Sequence, residues 1–217
     1  MSQGLSLAAR RARSIALFGG SFDPVHSAHL ACARLALEHG SVDHVVFIPA
    51  ARSPLKAQGP TASGPERLAM LETAIAGEPA WSTWDVEVVR PAPSYSVDTV
   101  RALLAERTSN PPARVCFLLG GDHLEALPLW REFEVLFELA EPLVISREAS
   151  TPERIQQLEG RVPPGLVARL AAGLIEAEPI ELSSSELRVK LAAGQDPGDA
   201  LPPGVWNFIR GRGLYRR

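Results

Sequence analysis

Two histidines three residues apart, His26 and His29, follow a strand-like run that ends in paired glycines. The stretch reads Gly19-Gly20-Ser21-Phe22-Asp23-Pro24-Val25-His26-Ser27-Ala28-His29. Glycines directly after a strand let the backbone turn tightly and approach a ligand closely. Residues at i and i+3 share a helix face, so both imidazoles point at one spot. That spot lies at a helix N-terminus, where N–H groups without helical partners and the helix dipole favour an anion. Each helix-end charge interaction is worth ~0.3–1 kcal/mol at an exposed site. Two imidazole donors there suit a phosphate. A pair of capping or surface histidines is the plainer alternative. A metal site built on Asp23, His26 and His29 is a weaker one, because helical metal pairs sit more often at i and i+4; no metal site is expected. Neither G-x-x-x-x-G-K-S/T nor G-x-G-x-x-G occurs.

Three further places carry similar chemistry. Ser184, Ser185 and Arg188 sit at the start of a second helical stretch. Serines there offer hydroxyls and backbone N–H groups, and an arginine fork grips a phosphate. Without other motifs this is an N-cap run with a solvated arginine. Lys56 lies on a long proline-containing loop, residues 50 to 64, and is otherwise a solvent lysine. Asp122 follows Gly120-Gly121, a second glycine pair after an apolar run, and is otherwise a turn former. Long loops in compact domains tend to be functional or mobile.

These groups must be positioned by regular elements. Ile15 to Phe18, Val42 to Ala50, Val115 to Leu119 and Leu143 to Ile145 read as buried strands. Trp84 to Val89 alternates in strand fashion, and Leu174 to Ile180 reads as a short strand. Helices are expected over Ser27 to His39 with Gly40 closing it, from Pro65 with Leu68, Leu71 and Ile75 on one face, and along Val97, Val100 and Leu104. Ser183 to Ala193 and Val205 to Arg210 read as closing helices, and the segment after Ile145 as proline-rich and polar. Strands alternating with helices imply an α/β fold: a Rossmann-like open parallel sheet with helices on both faces and a small C-terminal helical extension. Ligands sit at the carboxyl ends of such strands, where both glycine pairs fall.

The 217 residues favour one domain, residues 14–217, behind a mobile leader, residues 1–13, that carries Arg10, Arg11 and Arg13. Apolar residues make up 46% and charged residues 22%, which excludes a disordered tail, a fibre or a coiled coil. With 22 basic against 25 acidic residues the net charge is −3, so broad nucleic-acid binding is not expected. Only Cys32 and Cys116 are cysteines, too few for a disulfide framework, and they read as reduced thiols in a cytoplasmic protein. No apolar stretch approaches the ~18 residues of a membrane helix. A homo-oligomer is compatible with the composition. Arg34, Arg67, Arg101 and Arg131 read as solvated helix residues, and Trp81, Trp84 and Trp206 as packing.

From about residue 14 onward the chain resembles the nucleotidyltransferases with an HxGH signature, and more closely the bacterial nicotinate-mononucleotide adenylyltransferases. Gly19 to His26 is similar to that family's opening, and Ser94-Tyr95-Ser96-Val97-Asp98-Thr99-Val100 to its SYTxDTL. Gly120-Gly121-Asp122 with Leu127 and Trp130 is similar to its GxDxxxxxxxW. Leu182 to Arg188 is similar to its ISSTxIR, and the ending Gly213-Leu214-Tyr215 also fits. Several motifs in the right order are more specific than any one alone. The departures are Ala28 for the glycine of HxGH, Leu55 for the histidine of P-H-K, Arg147-Glu148-Ala149 for Arg-Pro-Gly, and Ser185 for threonine.

The resemblance implies transfer of the adenylyl group of ATP, as its Mg²⁺ complex, to nicotinate mononucleotide, with no nucleic acid or membrane as partner. His26, His29 and Arg188 would be catalytic. Gly19, Gly20, Ser21, Phe22, Ala28, Gly120, Asp122, Ser184 and Ser185 would line the ATP site, with Asp122 on the ribose. Lys56 would reach the mononucleotide phosphate, Trp130 would stack on the pyridine, Ser96 would donate to its carboxylate and Tyr95 would line the pocket. The loop over 50 to 64 is expected to close over the mononucleotide. The alternative is a nucleotide-binding member with another acceptor, the amide mononucleotide or phosphopantetheine, or one with activity reduced by Ala28. A metal hydrolase is a distant third.

Overall fold

A computed structural model describes residues 4–52, 54, 58–107, 110–146, 150–178 and 182–216. In chain order the elements are α1 (Leu7–Arg11), β1 (Ser14–Gly20), α2 (Ser27–His39), β2 (His44–Pro49), α3 (Gly64–Ala74) and β3 (Trp81–Thr83). Then come α4 (Val86–Val89), α5 (Ser96–Glu106), β4 (Arg114–Gly120), α6 (Phe133–Leu139) and β5 (Glu141–Ser146). The remainder is α7 (Thr151–Gln156), α8 (Pro164–Ala172), β6 (Leu174–Glu176), α9 (Ser184–Ala192) and α10 (Pro203–Arg212). The six strands pair in parallel in the order β3-β2-β1-β4-β5-β6. The expected Rossmann-like α/β sheet is therefore what the chain builds.

The strands are apolar without a break because both faces are covered. Side chains alternate along β1: Ala16 and Phe18 enter one core, with residues of α2, α3, α9 and α10, whereas Ile15 and Leu17 enter the other, with residues of α1, α5, α6 and α8. The same split runs through β4, where Cys116 and Leu118 face one core and Val115, Phe117 and Leu119 the other. Burying a side chain of this size contributes roughly 1.5–3 kcal/mol. Both cysteines are buried, and burial pushes the Cys116 thiol up to about 11.

Strand order reverses between β1 and β4, which are hydrogen-bonded neighbours. Gly19-Gly20 and Gly120-Gly121 end these two strands side by side. A crevice at such a switch point is where an open parallel sheet binds ligand. The C-terminal extension returns here, with α10 packed on α3.

Three expectations need correction. The run Trp84 to Val89 is not a strand: β3 ends at Thr83, Trp84 still donates its N–H to Phe47 O, and the chain then coils into α4. Alternation over so short a run does not separate a strand from one helical turn. The polar, proline-rich stretch after β5 holds two helices, α7 and α8. Pro152 and Pro164 sit in their first turns, where no N–H is needed, and Ile155, Leu158, Val162, Leu166 and Leu170 bury at a spacing of three and four. The leader is packed over residues 4–13. Ser6 caps α1, Leu5 and Ala9 are buried, and Arg107 Nη1 donates to Ala9 O and Ala12 O.

Candidate active site

The first glycine pair makes room for a folded-back aromatic ring. Phe22 has φ 46°, a left-handed conformation that costs a non-glycine residue about 1 kcal/mol or more. Its ring is held edge-on against Phe18 (centroids 5.4 Å), Phe47 (5.8 Å) and His29 (4.9 Å). A Cβ on Gly20 would stand 2.9 Å from that ring, so only glycine fits. The Phe22 turn delivers the chain to His26, which starts α2 as its N-cap.

His26 and His29 do share one face. Their rings stack with centroids 3.7 Å apart, and the His26 N–H donates to His29 Nδ1 at 3.3 Å. Ala28 lies between them and presents no surface to solvent, so its methyl group faces protein rather than an open cleft.

The start of α9 docks on the same turn. Ser184 Oγ donates to Pro24 O at 3.0 Å, Arg188 Nη1 donates to Asp23 O at 2.7 Å, and Arg188 Nη2 donates to Ser185 Oγ at 3.2 Å. Ser183 caps α9 by accepting from the Glu186 N–H. Two helix N-termini and an arginine thus converge beside the ends of β1 and β4.

Asp23 organises this convergence. It is 2% exposed, its Oδ2 accepts from Thr61 N–H at 2.7 Å, and its Oδ1 accepts from Ala62 N–H at 3.0 Å and from Tyr215 Oη–H at 2.7 Å. Arg188 Nη1 lies 3.7 Å from Oδ2. The carboxylate is therefore spent on structure, which argues against the metal site of Asp23, His26 and His29. Among the described residues no group of three or more His, Cys, Asp or Glu is placed to hold a metal ion.

Arg67 corrects a further expectation. It is 1% exposed, not solvated, and donates to Ser21 O at 2.7 Å and Ala62 O at 3.2 Å. Burial lowers its pKa, and the nearby Asp23 charge opposes that. Arg34, Arg101 and Arg131 do lie at the surface, where Arg101 pairs with Glu132 at 2.7 Å. Trp81 and Trp84 pack in the core, and Trp206 is half-buried.

The second group gathers around β4 and α5. Gly120 closes β4, and Asp122 is exposed on the turn just beyond it. Gly121 must be glycine, because a Cβ would stand 2.6 Å from Thr151 Oγ1. Half-buried Trp130 sits edge-on to Phe117, centroids 5.9 Å apart. The Phe117 ring in turn lies 3.7 Å from where a Gly19 Cβ would be, so this wall abuts the first glycine pair. Tyr95 is the N-cap of α5, Ser96 its first residue, and the Arg131 guanidinium lies 4.6 Å from the Tyr95 ring centre. Lys56 lies outside the described residues, as do Leu55 and Arg147-Glu148-Ala149.

Sequence reasoning missed Arg67, the full duty of Asp23 and its Tyr215 partner, and the buried carboxyl of Glu87. Only Asp23 and Tyr215 carried a signal, as members of motifs.

Comparison with known proteins identifies the family. Residues 17–190 match the cytidylyltransferase-like family. A "Probable nicotinate-nucleotide adenylyltransferase" of Chromobacterium violaceum is 38% identical over 93% of this chain and 98% of its own length. One of the same name from Symbiobacterium thermophilum is 36% identical over 94% and 95%. Among solved structures, a Plasmodium falciparum nicotinic acid mononucleotide adenylyltransferase complexed with NaAD has the same fold, with a TM-score of 0.65 at 19% identity, covering 94% of this chain and 97% of that one. No helix among the described residues is long and apolar enough to cross a membrane. The chain belongs to the cytidylyltransferase-like nucleotidyltransferases and, within them, to the nicotinate-nucleotide adenylyltransferases.

Proposed function

We propose that the protein transfers the adenylyl group of ATP to nicotinate mononucleotide, releasing pyrophosphate and nicotinate adenine dinucleotide. The observation that carries this reading is the convergence of the His26–His29 pair with Ser184, Ser185 and Arg188 beside two glycine-ended strands. A phosphate oxygen of the mononucleotide attacks the α-phosphorus of ATP, and the bond from that phosphorus to the bridging oxygen of the β-phosphate breaks. No covalent enzyme intermediate is needed, so catalysis is positioning and charge stabilisation. His26 and His29 donate to the ATP phosphates as charge moves onto the leaving pyrophosphate, and Arg188 turns its fork to the same anion. Gly19, Gly20, Ser21, Phe22 and Gly120 form the floor beneath the nucleotide, with Ala28 packed behind them, and Asp122 takes its ribose hydroxyls. Trp130 stacks on the pyridine ring, Tyr95 lines that pocket, Ser96 donates to the ring carboxylate and Lys56 meets the mononucleotide phosphate.

The anion-facing groups are donors rather than carboxylates, which fits Mg²⁺ arriving on the phosphates of ATP. That ion, when bound, neutralises part of the triphosphate charge. The same reading makes this a cytoplasmic enzyme, with homo-oligomers left compatible.

The test is pyrophosphate release with ATP and Mg²⁺, offering nicotinate mononucleotide, its amide or phosphopantetheine in turn. Release with the acid, reduced on the order of 10²–10³ in His26→Ala, is the expected result. Faster release with the amide or with phosphopantetheine would overturn the substrate assignment.

A further inference from the structure

We propose that Glu87 is a positioning residue, whose buried carboxyl fastens the segment carrying Tyr95 and Ser96 to the loop that leaves β2. This rests on the reading of that region as the mononucleotide end of the site.

The carboxyl sits on the short helix α4 and is 6% exposed. Thr99 Oγ1, buried in the first turn of α5, donates to Glu87 Oε1 at 2.5 Å. The Ser94 hydroxyl, just before α5, lies near the same carboxyl and favours its charged form. Ser94 is itself tied across to the other segment: its Oγ accepts from Ala51 N–H at 3.0 Å, and its N–H donates to Arg52 O at 3.0 Å. Polar contacts therefore run from Ala51 and Arg52, bonded to Ser94, past the Ser94 hydroxyl to Glu87 and on to Thr99, which is bonded to it. Their two ends are the start of the 50 to 64 loop and the N-terminus of α5.

A buried carboxyl is costly, and it persists only where its bonds are made. Burial pushes the Glu87 carboxyl above its usual range, while Thr99, Ser94 and the nearby Arg90 charge pull it down. Tyr95 and Ser96 lie between the two hydroxyls in sequence, so both ends of their short segment lie against one group. The residues so linked, Ala51, Arg52, Ser94, Glu87 and Thr99, lie at β2's exit, on α4 and at or just before the start of α5, not on α2, whose N-terminal end carries the His26–His29 pair. The effect on catalysis should therefore fall on one substrate only.

The experiment compares Glu87→Gln, Glu87→Ala and Thr99→Val in the full-length enzyme. KM is measured for each substrate, and hydrogen exchange is followed over residues 50–52 and 94–99. Glu87→Ala is expected to raise KM for nicotinate mononucleotide on the order of tenfold, with KM for ATP and kcat changed by less than about twofold. Glu87→Gln keeps a side-chain oxygen to accept from Thr99, and should recover part of the loss. Should Glu87→Ala not fold, Thr99→Val removes one hydroxyl and carries the same expectation at smaller size. Equal rises in both KM values, or a fall in melting temperature with neither KM moved, would overturn the proposal. If the wild-type enzyme does not turn over the mononucleotide, the substrate reading falls and the exchange data decide separately. Faster exchange over 50–52 in Glu87→Ala, partly recovered in Glu87→Gln, supports the fastening; unchanged exchange refutes it.

Discussion

The Tyr215 hydroxyl donates to Asp23 Oδ1 at 2.7 Å, joining two buried residues 192 positions apart. Burial and the Asp23 carboxylate both push the Tyr215 phenol up, so it stays a donor at neutral pH. The bond ties the C-terminal end of the chain to the loop that presents His26. Tyr215→Phe leaves Oδ1 with Ala62 N–H as its remaining donor in the network. A loss of about 1.5–3 kcal/mol is expected on urea unfolding, the range for a hydrogen bond to a charged group. An unchanged unfolding midpoint would show that water takes the place of the hydroxyl.

Arg67 holds two carbonyls that flank the site, Ser21 O and Ala62 O. Arg67→Met keeps most of the volume and strips both of their donor. Arg67→Lys keeps the charge but loses the fork, so it too should fall short. Each substitution is expected to cost about 2–4 kcal/mol of stability, with methionine the worse. Equilibrium denaturation of the two variants checks both size and order.

Ala28 stands where relatives of this signature carry glycine, yet its methyl group is wholly inside the protein, in the first turn of α2. Ala28→Gly should therefore not raise kcat. It should lower stability by roughly 0.5–1 kcal/mol, the usual difference between the two residues in a helix. A several-fold gain in turnover would show instead that the methyl crowds the nucleotide.

His44 is buried, bonds Ser82 Oγ at 2.9 Å, and has its pKa pushed down to about 4 by burial. Its folded value lies below its unfolded one, about 6.5. The unfolded chain thus binds the extra proton, so stability is full above pH 6.5 and falls as pH drops toward 4. The loss from this one group is on the order of 3 kcal/mol. In His44→Gln, stability measured between pH 7 and pH 4 should fall by correspondingly less than in the wild type. Parallel curves would exclude the assignment.

Trp130 tests the other end of the site. Trp130→Ala removes the stacking surface and is expected to raise KM for nicotinate mononucleotide more than tenfold while leaving that for ATP near its original value, since base–aromatic stacking is worth ~1–3 kcal/mol. A fall in melting temperature without a KM change would make Trp130 a packing residue beside Phe117.

What could be read without a structure was local. The bounds of α2, Ser27–His39, follow from residues adjacent in the chain. The stacked pair His26 and His29 follows from helical spacing, and the serine start of α9 from capping preference. The strand mistaken over Trp84 to Val89 and the helices overlooked after β5 show the limit. Four to six residues do not carry enough period to decide, and a proline in a first turn looks like a break.

The sequence by itself determined the parallel α/β sheet, the helix N-terminus behind the histidine pair and the placing of both glycine pairs at the ligand edge. Those depend on steric and hydrogen-bonding rules between near neighbours. Tertiary structure alone decided that Arg188 meets the Asp23 turn 165 residues away, that Arg67 is buried, and that the buried Glu87 carboxyl accepts from Thr99. Each of these is a polar group whose cost of burial is offset only by partners brought from elsewhere in the chain, and no local pattern records which partners those are.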